Sequence, residues 1–288
     1  MLNLTRKRNL IIRAATPAET EDVELLARWS DRVHLRFQIN YLPQLVRDGH
    51  IMLVLQNGNL CGLSYATIDY PNCSIRGLAV RPGRSTPLIV EAMLNHLLPA
   101  AKAANALSIT YIGDDSWLVP SLVERGFVRS GQIIGLRRSG TFLAAEVDHH
   151  CQVRCARAED VEAIVAVDWA AFEPLWRNGV QTIREFLAQM PHFLVSTMDG
   201  QIVAYICGTC YNRVGHVVRL AVHKQVQRRG IGTMLMRELL ARMADEGVRG
   251  LTLNTQLDNY GSQAFYRSLG FYPTQKPASV YRYMLANR

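Results

Sequence analysis

The stretch Leu220-Ala221-Val222-His223-Lys224-Gln225-Val226-Gln227-Arg228-Arg229-Gly230-Ile231-Gly232 carries the densest signal in this chain. An apolar run gives way to a polar turn with two arginines, and two glycines then open a segment with helical periodicity. Glycine permits backbone conformations and close approaches that side chains forbid. The first turn of a helix offers N–H groups without intrahelical partners, at the positive end of the helix dipole. Together these features describe a pyrophosphate site, with Arg228 and Arg229 adding charge. Two common nucleotide patterns are excluded. Leu235 stands where G-x-G-x-x-G needs its third glycine, and no Gly-Lys-Ser/Thr occurs. A tight helix start is the plainer reading of the same glycines, so the surrounding sequence decides.

Around it, the second half of the chain reads as a series of strands and helices. Residues 152–156 form a short strand, and Val161, Ile164 and Val165 set the spacing of a helix whose N-terminus suits Glu159, Asp160 and Glu162. Residues 182–190 form a second helix, ended by Pro191. Residues 192–197 and 202–210 are strands joined at Asp199-Gly200, and 216–222 is a third. A helix with Ile231, Met234, Leu235, Leu239, Leu240 and Met243 on one face runs toward Gly247. Strands at 251–255 and 280–285 flank a short helix at 262–269. This order predicts an α/β (α+β) domain with a mixed sheet.

The first half repeats the landmarks of the second. Glu21-Asp22-Val23-Glu24 recurs as Glu159-Asp160-Val161-Glu162, Leu78-Ala79-Val80 as Leu220-Ala221-Val222, and Gly126-Phe127 as Gly270-Phe271. The offsets are 138, 142 and 144 residues, in order and drifting slowly. Such a pattern is a tandem duplication whose second copy gained a few loop residues. It divides the 288 residues into domains 1–145 and 146–288, each expected to hold a mixed central β-sheet flanked by helices.

Gln227-x-x-Gly230-x-Gly232, preceded by Leu-Ala-Val, resembles the acyl-CoA signature of the GNAT superfamily, the Gcn5-related N-acetyltransferases. Asn259, Tyr266 and Gly270-Phe271, beginning 27 residues after Gly232, match the second part of that pattern. The resemblance covers the whole second half. Within the family that half is similar to the ribosomal-protein alanine N-acetyltransferases, which share an aromatic segment like Phe172-Glu173-Pro174-Leu175-Trp176 in the substrate-facing loop.

The resemblance implies a tandem GNAT protein that moves an acetyl group from acetyl-CoA to a primary amine of a small molecule or peptide. Attack is direct, in a ternary complex, with acetyl-CoA as co-substrate and no metal. Carried onto matching positions, it implies that the backbone of Leu220, Ala221 and Val222 pairs with the pantetheine arm. Gln227, Arg228, Arg229, Gly230, Ile231, Gly232 and Thr233 would cradle the pyrophosphate, and Asn259 would contact the cofactor arm. Phe172, Glu173 and Trp176 would face the acceptor, and Tyr266 would be the general acid. A thiolate, with a thiol pKa of ~8.5, leaves more easily when a phenol delivers a proton as the C–S bond breaks.

One residue departs from the pattern. Where the alanine acetyltransferases carry a glutamate taken as general base, this chain has Asn254. Water, Glu173, His216 and Asp258 remain as routes for the amine's proton. Two other readings stay open: a non-catalytic acyl-CoA-binding or regulatory protein, and a tandem enzyme using both domains, as in the mycothiol synthases.

The first half looks like the same fold with its site eroded. If Arg84 takes the place of Gln227, Pro87 stands at the position of Gly230 and Ile89 at that of Gly232. Proline removes a donor N–H, and isoleucine obstructs close approach. Counting back from Gly126-Phe127, Leu122 replaces Tyr266 and Asp115 replaces Asn259. Leucine has no proton to give, and an aspartate repels an anion. The first domain is therefore expected to be degenerate, shaping the acceptor cleft without binding acyl-CoA. Arg28, Arg32 and Arg36, four apart, read as one solvated helix face.

Composition removes other classes. Hydrophobic residues make up 49% and charged residues 19%, and mean hydropathy is +0.00, which excludes disorder and fibrous repeats. No apolar run of ~18 residues occurs. Arg6, Lys7 and Arg8 are followed only by Leu10, Ile11 and Ile12 before Arg13, too short a run for a secretory signal. A cytoplasmic protein without a membrane partner is expected. The net charge of +8 divides as 16 − 11 = +5 before residue 145 and 16 − 13 = +3 after it. With no nucleic-acid motif, this diffuse charge suits an anionic ligand and not nucleic acid. Six cysteines are too few for a disulfide framework. Cys207 and Cys210, three apart on a strand, point to opposite faces, and His149-His150-Cys151-x-x-x-Cys155 lacks a second ligand pair, so no metal is expected. The chain is expected to be a monomer or homodimer.

Overall fold

The structure, a computed structural model, describes residues 10–140, 151–274 and 276–285. The chain begins with β1 (Leu10–Ala14), α1 (Thr20–Trp29), β2 (Arg32–Leu35), α2 (Leu42–Arg47), β3 (Met52–Gln56), β4 (Asn59–Asp69) and β5 (Asn72–Val80). It continues through α3 (Thr86–Ala103), β6 (Ser108–Ile112), α4 (Val119–Val123) and β7 (Val128–Ser139). Next come β8 (Gln152–Cys155), α5 (Val161–Ala171), α6 (Val180–Gln189), β9 (His192–Met198), β10 (Gln201–Tyr211) and β11 (Val214–Val222). The last elements are α7 (Ile231–Asp245), β12 (Gly250–Gln256), α8 (Tyr260–Ser268), β13 (Tyr272–Pro273) and β14 (Ala278–Met284).

Two compact units result, Met1–Ser130 with Val280–Arg288, and Gly131–Ser279. Their sheets share one plan, β1-β3-β4-β5-β6-β14 in the first and β8-β9-β10-β11-β12-β7 in the second. In each, one parallel pair (β5 with β6, β11 with β12) interrupts antiparallel neighbours. The mixed α/β architecture is the one the sequence predicts. Matching hairpins also recur: Asn57-Gly58 and Asp199-Gly200 both hold two consecutive left-handed residues, with φ of 52° and 78°, and 51° and 77°. Two positive φ values in a two-residue turn match the right-handed twist of the strands they join.

The division differs from a cut at 145. Each half gives its last strand to the other unit's sheet. β7 lies antiparallel on β12, from Gly250↔Ser139 to Gln256↔Ile133, and β14 lies on β6, from Val280↔Ile112 to Met284↔Ser108. The unit boundaries therefore fall inside β7 and β14. The physical reason is that β6 and β12 both need an antiparallel partner, and either closing strand offers the alternation to supply it.

In the second unit, one sheet face packs α7 and α8. Leu194, Ile206 and Val217 meet Leu235, Leu239, Met243 and Phe271 there. The other face packs α5 and α6, with Val161, Ile164, Val167 and Ile183 against Phe193, Val195 and Tyr205. Each such fully buried side chain contributes roughly 1.5–3 kcal/mol from removal of apolar surface from water. Cys207 belongs to the α5 face and Cys210 packs on the α7 face, as strand alternation requires. His149 and His150 lie outside the described residues, as do Arg6, Lys7 and Arg8. Among the described residues no helix is long and apolar enough to cross a membrane. Arg28, Arg32 and Arg36 share no helix face, because α1 stops at Trp29 and Arg32 opens a strand.

Candidate active site

The second unit's sheet opens beside the stretch from Leu220 to Gly232. β11 pairs with β12 only from Val214↔Gly250 to Val217↔Leu253. Beyond that point β12 continues along β7, while β11 keeps β10 as its neighbour on the other side. Among the described residues no strand lies against 218–222 on the β12 side. Leu220, Ala221 and Val222 occupy this separated segment. An extended chain can therefore add itself to the β11 edge, as a further strand would.

At the end of β11 the backbone turns sharply. Arg228 has φ +62° and Gly230, the residue capping α7, has φ +79°. A left-handed φ costs a non-glycine residue free energy, so Gly230 is required by the turn. Gly232 has a different reason, since a Cβ there would lie 3.3 Å from the Phe265 ring. Gly230 has no side chain to cap the helix and no acidic residue occupies the first turn. The amides at Ile231, Gly232 and Thr233 thus face a helix start that its own chain leaves open. Arg228 and Arg229 are exposed and form no ion pair among the described residues. Gln227 folds back, its Nε2 donating to the Val222 carbonyl at 3.0 Å.

Tyr266 lies on α8, 9% exposed, with Phe265 and Phe271 at ring-centroid distances of 5.2 and 5.8 Å. Burial pushes its phenol up to about 12, against a smaller lowering by the Arg219 guanidinium. The hydroxyl makes no hydrogen bond among the described residues. It holds its proton at neutral pH and has no internal partner for it. Asn259 has a local task, since its Oδ1 accepts from the Ser262 N–H at 3.0 Å and caps α8. Asn254 is exposed on β12.

The loop after α5 is tied to β11 by a buried ion pair that the sequence reading missed. Asp168 is fully buried and accepts two hydrogen bonds from Arg219, at 2.8 and 3.0 Å. It also accepts from the Asn178 N–H at 2.8 Å and the Tyr205 hydroxyl at 2.5 Å. Arg219 in turn donates to the Trp176 carbonyl at 2.6 Å and stacks 3.5 Å from the Phe172 ring centroid. Burial alone lowers the Arg219 guanidinium, but the charge of Asp168 reverses this and raises it. Phe172 and Trp176 are thus brought onto β11, whereas Glu173 is exposed, 3.7 Å from Lys224. One signal was available: Asp168 is a lone carboxylate in the apolar helix VEAIVAVDWAA after its first turn.

The matching edge of the first unit is covered by its own chain. β5 pairs with β6 only at 72–74, and β2 lies along the rest: Arg32↔Val80, Val33↔Ala79, His34↔Leu78, Leu35↔Gly77. Leu78-Ala79-Val80, the counterpart of Leu220-Ala221-Val222, therefore already has a strand partner. Gly77, 142 residues before Arg219, makes room, since a Cβ there would meet Phe37 at 3.0 Å and Leu35 at 3.3 Å. Asp115, at the position of Asn259, accepts from His34 of β2 at 2.8 Å and from Tyr111 at 2.5 Å. Burial raises the Asp115 carboxyl, but the His34 and Tyr111 hydrogen bonds outweigh it and hold the group below the usual aspartate value. Pro87 sits in the first turn of α3, and Ile89 and Leu122 are buried.

Comparison with known proteins agrees with this architecture. Residues 161–271 match the acetyltransferase (GNAT) family. N-alpha-acetyltransferase 30 of Schizosaccharomyces pombe is 32% identical over 108 residues, 35% of this chain and 70% of that protein. A tandem GNAT protein from the clavulanic acid biosynthesis pathway shares the fold with a TM-score of 0.65 at 15% identity, covering 97% of this chain and 100% of that one. A GCN5-related N-acetyltransferase from Sphaerobacter thermophilus does so with a TM-score of 0.63 at 16% identity, covering 96% and 95%. These define the class, an acyltransferase enzyme with two GNAT folds in one chain. The chain belongs to the acetyltransferase (GNAT) family.

Proposed function

We propose that the second unit transfers an acetyl group from acetyl-CoA to a primary amine, and that the first unit binds no acyl-CoA. The observation that carries this reading is the separated edge of β11 at 218–222, ending at the open N-terminus of α7. Backbone groups of Leu220, Ala221 and Val222 pair with the amide-bearing pantetheine arm. The first-turn amides of α7, from Ile231 to Thr233, together with Arg228 and Arg229, hold the pyrophosphate. A strand N–H aimed at the carbonyl stabilises the oxyanion that develops as the amine attacks, an interaction worth about 3 kcal/mol. Tyr266 then gives its proton to the departing thiolate. Phe172 and Trp176, fixed by Arg219, line the acceptor side.

The amine's own proton needs a second acceptor, because Asn254 is neutral. We assign that role to His216, on β11 four residues before Leu220. The Thr252 hydroxyl donates to the Gly215 carbonyl at 3.2 Å, so its oxygen accepts from His216 Nδ1 at 2.9 Å. The likeness to N-alpha-acetyltransferase 30 supports a peptide N-terminal amine as the acceptor class.

Calorimetric titration of acetyl-CoA into the intact protein, followed by thiol release with a panel of peptides and small amines, tests the proposal. One site per chain with turnover is expected. Two sites would overturn the reading of β2, and no binding would overturn the whole. Tight binding without turnover on any amine would favour the non-catalytic alternative, to which Asn254 points.

A further inference from the structure

At the end of α7 away from Gly230, three side chains from three elements meet. His192 opens β9, Cys210 is the penultimate residue of β10, and Glu246 caps the C-terminus of α7. His192 Nε2 lies 3.2 Å from Glu246 Oε1, and Cys210 Sγ lies 3.2 Å from Glu246 Oε2. One nitrogen, one sulfur and one oxygen fall within 4.8 Å of one another. His192 is only 6% exposed, and its Nε2 is buried without a hydrogen bond despite the nearby carboxylate. A buried polar nitrogen left in that state costs free energy and calls for a ligand or a partner.

We propose that His192, Cys210 and Glu246 bind a divalent cation of the zinc class. Imidazole, thiolate and carboxylate are the three donor types zinc takes, and the softness of sulfur disfavours magnesium and calcium. Bond lengths of ~2.3 Å to sulfur and ~2.0–2.2 Å to nitrogen and oxygen place donors on one tetrahedral ion roughly 3.3–3.7 Å apart. Ligand atoms at the 4.8 Å limit close on one ion with a shift of about an ångström. Water would complete a tetrahedron. Glu246, 47% exposed, leaves a path from solvent.

Cys210 Sγ donates its proton in a hydrogen bond to Glu246 Oε2 at 3.2 Å. Binding therefore releases the Cys210 proton and exchanges that hydrogen bond for two bonds to the metal. Glu246 follows Gly230 by 16 residues, about 24 Å along a helix, so the site is separate from acetyl transfer and does not rest on it. It ties the start of β9 and the end of β10 to the end of α7. No motif announces it, because the ligands are 18 and 36 residues apart.

The test uses full-length, tag-free, reduced protein stripped with a chelator and titrated anaerobically with Co²⁺, then with Zn²⁺. One equivalent of Co²⁺ producing a thiolate charge-transfer band, displaced by Zn²⁺, is expected. Cys210→Ser should abolish the band, whereas Cys155→Ser, at an exposed thiol, should leave it intact. His192→Gln and Glu246→Gln should each weaken Zn²⁺ binding at least tenfold, and Zn²⁺ should raise the melting temperature of the wild type only. If His192→Gln fails to fold, the half-exposed Glu246→Gln carries the comparison. Absence of the band, its survival in Cys210→Ser, or Zn²⁺ affinity unchanged by Glu246→Gln would overturn the assignment.

Discussion

Tyr266 and Asp168 illustrate how burial does opposite work at two positions. Burial pushes the Tyr266 phenol up to about 12, so the protonated form persists through the range in which the enzyme would act. Tyr266→Phe is expected to lower kcat by roughly 10² or more while leaving acetyl-CoA affinity unchanged. The sign of the pH effect follows. An acid whose pKa rises on folding favours the folded state below its unfolded value and loses that advantage as pH climbs toward the folded one. Wild-type stability should therefore decline between pH 10 and about 12, and Tyr266→Phe should remove part of that decline in denaturant titrations at the two limits. Asp168 is a charged group whose burial is balanced by Arg219. Asp168→Asn keeps the shape but leaves the guanidinium uncompensated, at an expected cost of about 3–5 kcal/mol in urea unfolding. The place of Tyr266 on a short helix was legible, because it stands at fixed spacing from Gly270-Phe271. Arg219 was not, since its partner lies 51 residues away and only folding brings them together.

The start of α7 and the end of β5 show what single elements add. Gly230 and Gly247, at the two ends of α7, both have φ +79°, and alanine at either costs about 1–2 kcal/mol. Gly230→Ala alone is expected to weaken acetyl-CoA binding in calorimetry, and Gly247→Ala serves as the control for stability. Equal affinity in the two variants would remove the pyrophosphate role from the α7 N-terminus. In the first half, Arg28, Arg32 and Arg36 read as one helix face by their spacing, yet residues 32–35 form β2. Open backbone at 77–80 and the absence of a side chain at Gly77 give a strand a better partner than solvent gives a helix turn. Edge hydrogen bonding overrode local periodicity there.

Across the whole chain, the duplication was legible and its boundaries were not. β7 and β14 are exchanged between sheets, so a cut at 145 strands both. A fragment 131–279 keeps β7 on β12, with seven register pairs, and is expected to unfold cooperatively. A fragment 146–288 loses that partner and carries β14 without β6, and should melt at a lower temperature. Equal melting temperatures would mean that β14 takes the place of β7 unaided.

The sequence by itself determined the tandem α/β plan, the Asp199-Gly200 hairpin, the glycine-started helix and the place of Tyr266 on a short helix. All of these depend on periodicity or on residues close along the chain, where spacing alone dictates which groups meet. Only the tertiary structure decided which sheet each closing strand joins, that β2 covers the first unit's edge, and that Asp168 holds Arg219. The same holds for His192, Cys210 and Glu246. Each of these joins groups distant in sequence, through hydrogen bonds and charges that almost any polar residue can make locally. Their partners are chosen by which surfaces the packed sheets and helices leave within reach.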